Sequence, residues 1–197
     1  MKTLELFVIE LEKPIHDEIT LSNGAKIYLD SKYNEFEWRV TEGPVVSPPI
    51  KHDTGVEVGD TLYFHHLVVM NEGQVLTGHD NHYLVRYHPD HTINNQAIAY
   101  KSKKSGHIYT LGGWGLIKPV FEQEPESELE VIRFEEKSTT RGVVAFNSPF
   151  LEELNVKAGD VVGFRDKMQY KITIDDVEYY RVRKEDLLYA EEEVHND

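Results

Sequence analysis

One phrase occurs twice in this chain. VEVGDTLYF runs from Val56 to Phe64 and VKAGDVVGF from Val156 to Phe164, with Val56/Val156, Gly59/Gly159, Asp60/Asp160 and Phe64/Phe164 identical. A repeat constrains a fold strongly, because both copies must meet the same packing problem with the same succession of elements. Val56, Val58, Leu62 and Phe64 share one parity, as do Val156, Ala158, Val162 and Phe164. That alternation predicts half-buried strands, bent where Gly-Asp stands.

Further landmarks recur in the same order. Gly43, Val45 and Val46 answer Gly142, Val143 and Val144, while Tyr83, Val85 and Arg86 answer Tyr180, Val182 and Arg183. With 197 residues the chain has room for two small domains of about 100 residues each. The boundary is placed in the polar, basic stretch AYKSKKSGH, Ala99 to His107, giving domains 1–104 and 105–197. Short apolar stretches (LFVIEL, KIYL, PVVS, HYLVRY, then GLIKPVF, LEVIRF, GVVAF, YKITI, EYYRVR) alternate with clusters of glycine, proline and asparagine. No segment keeps a helical apolar stripe for three turns, so the fold class is all-β.

Composition narrows the function. Thirty-five acidic against 21 basic side chains leave a net charge of -14, which repels phosphate and argues against a nucleic-acid partner. The opening MKTLELFVIE is interrupted by Glu5 and Glu10, and the apolar runs are too short to cross a bilayer. A cytoplasmic protein without a membrane partner is therefore expected. There is no cysteine, which excludes a disulfide framework and the cysteine-based zinc sites.

The second half carries the more specific signal. IYTLGGWGLIKPV (Ile108 to Val120), KSTTRGVVAF (Lys137 to Phe146), LNVKAGDVVGF (Leu154 to Phe164) and IDDVEYYRVRKEDLLYAEE (Ile174 to Glu192) follow in order and together resemble the GroES-type co-chaperonins over roughly residues 107–192. In the first half FVIELEKP, GAKIYLD and VEVGDTLYF fit the same pattern, and the internal repeat supplies the rest. The resemblance implies two tandem GroES-like, partly open β-barrels, as in phage- or organelle-type members. It implies a homo-oligomeric ring that caps a GroEL-type chaperonin, encloses a client protein and uses no cofactor.

The resemblance further implies a mobile loop between the first strand and the Gly-Val-Val strand, carrying a short apolar clip. In the first copy the span HDEITLSNGAKIYLDSKYNE supplies Ile27, Tyr28 and Leu29 after Gly24. In the second, EQEPESELEVIRFEEKSTT supplies Leu129, Val131 and Ile132, without the preceding glycine. The alternative for Ile27 to Leu29 is an edge strand with Leu29 in the core. The roof hairpin of the family has only SPPIKHDTG and NSPFLEE to form from, which predicts an open roof.

Two other classes compete. GDTLYFHHLVVMNEG approaches the cupin pattern with Gly59, His65, His66 and Glu72, which would make a metal-dependent enzyme. Neighbouring residues of a strand point to opposite faces, so His65 and His66 are not expected to share a metal. His79/His82 and His88/His91 have spacings compatible with a divalent ion, although structural or solvent-facing histidines are the expectation. GGWGLIK (Gly112 to Lys118) satisfies neither nucleotide-loop pattern, and no nucleophile context is recognisable, so no enzyme activity is expected. The third class is a GroES-like fold recruited as a structural or assembly module.

Overall fold

The computed structural model describes residues 2–12, 18–28, 40–69, 74–79, 81–89, 94–122, 136–168 and 170–191. These form two compact units, Met1–His88 with Asn94–His107, and Pro89–Ile93 with Ile108–Asp197. In the first lie β1 (Leu6–Glu10), β2 (Glu18–Thr20), β3 (Lys26–Tyr28), β4 (Glu42–Ser47), β5 (Thr61–Phe64), β6 (Gln74–Val75), β7 (His82–Arg86) and β8 (Ala97–Lys101). The second holds β9 (Ile108–Thr110), β10 (Trp114–Glu122), β11 (Glu136–Val144), α1 (Pro149–Glu153), β12 (Val161–Phe164), β13 (Tyr170–Ile174), β14 (Val177–Arg183) and β15 (Leu187–Glu191). Among the described residues the structure is all-β apart from α1 and two single 3-10 turns.

Within the first unit the antiparallel order is β6-β7-β1-β4-β5-β8, and within the second β13-β14-β10-β11-β12-β15. Substituting β6→β13, β7→β14, β1→β10, β4→β11, β5→β12 and β8→β15 turns one order into the other. The register matches too. Ile9 stands opposite Val45 and Tyr83, and Ile117 stands opposite Val144 and Tyr180. Each copy has a register break beside its closing phenylalanine, between Tyr63 and Phe64 and between Gly163 and Phe164. Both sheets remain open: among the described residues no pairing joins β6 to β8 or β13 to β15.

The repeated Gly-Asp phrase is a turn, not a bend inside a strand. Asp60 N–H donates to the Glu57 carbonyl and Asp160 N–H to the Lys157 carbonyl, at 3.2 and 3.1 Å. Gly59 and Gly159 take φ of 90° and 103°, which an L side chain rarely adopts. Each aspartate then caps its own turn, with Oδ2 accepting from Glu57 N or Lys157 N at 2.8 Å. The strands therefore start only after the aspartate, and Val58 and Ala158, expected on the buried face, are exposed. The same turns correct the valine alignment. Gly59 N–H donates to Val45 O and Gly159 N–H to Val144 O, so Val45 matches Val144, Pro44 matches Val143 and Val46 matches Ala145.

A short helix, absent from the sequence reading, stands in the β11–β12 connection. Ser148 caps it by accepting from Leu151 N, and Pro149 opens it, where a missing N–H does no harm. It ends on Asn155 at φ 59°, with Asn155 N–H donating to Glu152 O and Val156 N–H to Leu151 O, a Schellman closure. Leu151 and Val156 join Ile117, Val144, Val162, Phe164, Tyr180 and Val182 in the core of this unit. In the first unit the corresponding connection, 48–60, forms only an isolated bridge between Thr3 and Pro49. Neither connection contains a hairpin.

Candidate functional site

The apolar clip of the first copy lies in a two-stranded hairpin within the β1–β4 connection. Glu18 pairs with Tyr28, Ile19 with Ile27 and Thr20 with Lys26, and among the described residues β2 and β3 pair with no other strand. The turn is self-contained: Leu21 N–H donates to Ala25 O, Gly24 N–H to Leu21 O, and Asn23 Oδ1 accepts from Ala25 N. Gly24 takes φ 82° with open space where a Cβ would stand. Ile27 is 48% and Leu21 40% exposed, so one large aliphatic side chain on β3 and one in the turn face water. Ile27 is thus a strand residue, in a hairpin separate from the main sheet. Tyr28 closes β3. Leu29 lies outside the described residues, as do Leu129, Val131 and Ile132 in the β10–β11 connection, the equivalent place of the second copy.

The histidines depart from their expected geometry. β5 ends at Phe64, and His65 N–H donates to the Gln96 carbonyl as the chain turns into a single 3-10 turn, His66–Val68. His65 caps that turn by accepting from Leu67 N at 3.3 Å through Nδ1. The rings of His65 and His66 consequently stack, with centroids 4.4 Å apart and planes at 24°. The premise that they face opposite ways fails because they are not consecutive residues of a strand. Glu72 lies outside the described residues, as does His91. Among the described residues no three histidine, cysteine, aspartate or glutamate side chains gather as a metal centre.

His79 and His82 do meet, with ring centroids 4.8 Å apart. Between β6 and β7, His82 N–H donates to His79 O at 3.1 Å. Asn81 donates through Nδ2 to Glu10 Oε1 and to Leu11 O, and its Oδ1 lies 2.9 Å from His82 Nδ1.

The sequence reading missed an arginine-tryptophan cluster on the second sheet. Trp114 stands opposite Arg183 across β10 and β14, and Leu116 opposite Arg181, so all four project from one face. The guanidinium carbons of both arginines lie 5.6 Å from the Trp114 ring, and that of Arg181 lies 5.3 Å from the Tyr170 ring. Such contacts contribute about 0.5–2 kcal/mol each, the larger value when desolvated. The first copy has Leu6 and Arg86 at the places of Trp114 and Arg183. Tyr-x-Val-Arg was legible as a landmark, but its aromatic partner is set by register alone.

No protein-family model matches the chain, and no curated protein matches it in sequence. No helix among the described residues is long and apolar enough to cross a membrane.

Proposed function

We propose that the protein is a tandem co-chaperonin that docks on a GroEL-type chaperonin through its β2–β3 hairpin and its second-copy counterpart, and assists client folding without catalysis of its own. The observation that carries this reading is the hairpin. It occupies the connection where the family resemblance puts the binding loop, and it exposes Leu21 and Ile27 instead of burying them. A small hairpin with two aliphatic anchors makes weak contacts singly, and a ring multiplies them through effective concentration. The second copy supplies the ring contacts in this reading: β15 is 47–58% exposed at Tyr189 and Leu188, and among the described residues it pairs only with β12.

The test is co-sedimentation with a purified GroEL-type chaperonin and nucleotide, using the full chain and the double variant Leu21→Ser/Ile27→Ser. Binding by the parent and at least tenfold weaker binding by the variant is expected, with an unchanged melting curve, since exposed substitutions shift stability by about 0.5 kcal/mol or less. A parent chain that stays monomeric and unbound with chaperonin and nucleotide present removes the reading.

A further inference from the structure

We propose that His79 and the Nε2 atom of His82 together bind a divalent transition-metal ion of the imidazole-preferring class, such as Zn2+. This site is independent of the chaperonin reading and uses none of its residues.

The hydrogen bonds around Asn81 decide which nitrogen of His82 is available. Nδ2 of Asn81 faces two atoms that can only accept from it, Glu10 Oε1 at 3.1 Å and Leu11 O at 2.9 Å. That fixes the amide orientation, because the reverse would set an oxygen against two oxygens. Asn81 Oδ1 therefore points at His82 Nδ1, 2.9 Å away, and accepts a hydrogen bond from Nδ1–H. With the proton on Nδ1, the lone pair of neutral His82 sits on Nε2. An imidazole held at one nitrogen by an outer acceptor, leaving the other for a metal, is the usual arrangement behind protein zinc ligands.

Distance and accessibility allow this role. Zn–N bonds of about 2.1 Å at a tetrahedral angle place the two ring centroids roughly 5 Å apart. The observed separation is 4.8 Å. Three backbone hydrogen bonds hold the two residues at that spacing: His79 N–H to Leu76 O, His82 N–H to His79 O and Leu76 N–H to His82 O. His79 is exposed and His82 half-buried, so an ion reaches the pair while water fills its remaining positions. Glu10 stands opposite His82 in the β1–β7 register, and the chain carries a net charge of -14. Both favour a cation. The second copy turns at the same place through Asp175-Asp176, with Tyr179 standing where His82 does, so the pair belongs to the first copy only.

The experiment is titration of the full chain with ZnCl2, read by calorimetry and by long-range 1H–15N correlation of the imidazoles. Metal-free His82 is expected as the Nδ1–H tautomer, with zinc moving the His79 and His82 resonances first. His79→Ala and His82→Ala should each weaken binding at least tenfold. Asn81→Ala, which releases the ring without removing a ligand, should weaken it about 10-fold or more. His65→Ala and His88→Ala should leave it unchanged. Melting curves and dispersed amide spectra report whether each variant folds, and the parent spectrum alone tests the tautomer. An Nε2–H tautomer of His82, no saturable zinc binding, or binding undiminished in both ligand variants overturns the proposal.

Discussion

Across β5 and β8, Tyr63 stands opposite Ala99; at the same place across β12 and β15, Gly163 stands opposite Tyr189. The large and the small residue have changed strands. A Cβ on Gly163 would lie 2.1 Å from Tyr189 Cε1, so any side chain there would have to displace the Tyr189 ring, which is 47% exposed. Two copies can thus keep one register while moving the large residue from one strand to the other, and the exchange moves it from the core to the surface, since Tyr63 is buried and Tyr189 is exposed. Exposure has diverged further. β8 is buried over four of its five residues, whereas β15 is exposed over four of five. Strands that pair with their β5 and β12 neighbours in the same register therefore serve different surroundings.

The glycine that opens each Gly-Val motif gives the largest expected contrast. A Cβ on Gly142 would stand 2.7 Å from the Lys118 carbonyl oxygen and 2.4 Å from Ile117 Cγ2, while on Gly43 its nearest contacts are the side-chain tips of Ile9 and Leu11 at 3.2 and 3.3 Å. Backbone cannot swing aside as a side-chain tip can. Gly142→Ala should lower stability by about 1–3 kcal/mol in chemical denaturation, and Gly43→Ala by less than about 1 kcal/mol. Equal effects would show that the two β-strand approaches are alike after all.

The two turn aspartates should separate next. Asp60 is 3% exposed and accepts from Glu57 N and from Lys103 N, whereas Asp160 is half-buried and its turn bond is to Lys157 N. Asp60→Ala leaves two N–H groups unsatisfied, and each buried one costs about 1–3 kcal/mol. Asp160→Ala strands one N–H that water can reach, so a loss nearer 1 kcal/mol is expected. Hydrogen exchange at Lys103 and Lys157 would report the loss locally.

The smallest contrast is a charge pattern confined to the second copy. Lys137 on β11 hydrogen-bonds Glu178 on β14 at 2.8 Å, and Lys171 on β13 lies 3.2 Å from the other oxygen. The Lys137 hydrogen bond holds the Glu178 carboxyl below its ordinary range, Lys171 adds to that, and partial burial opposes it. A carboxyl with a depressed folded pKa contributes stability above its unfolded pKa of about 4.3, and that contribution is lost as pH falls through the lower folded value. Glu178→Gln should therefore lower stability at neutral pH and flatten the acid limb of the stability curve. The groups are exposed enough that the effect stays below about 1 kcal/mol and shrinks in salt. A variant whose pH profile overlays the parent's would assign the triad no energetic role.

Much of the architecture was legible because period-two patterning and the repeat depend on local sequence. β1, β7, β10, β13 and β14 fall on LFVIEL, HYLVRY, GLIKPVF, YKITI and EYYRVR, and the described residues are all-β apart from α1 and the 3-10 turns. Local signals also existed for features that were missed. Ser148-Pro149 is an N-cap followed by a helix-opening proline, and a glycine before aspartate with apolar flanks fits a turn as well as a bent strand. The apolar clip was legible as apolar residues after Gly24, but not as a separate hairpin, because strand pairing partners are chosen by long-range register.

Sequence alone determined the all-β class, the acidic charge, the lack of cysteine and the recurrence of landmarks, since these follow from residue identity and spacing. Tertiary structure decided which residues meet. It stacked His65 on His66 by ending β5 at Phe64, brought His79 against His82, and set Trp114 against Arg181 and Arg183 by the β10–β14 register. It also decided that Gly142 admits no Cβ while Gly43 nearly does. The physical reason is one of range: propensity and periodicity act over a few residues, whereas contacts across a sheet depend on which strands pair and in which register.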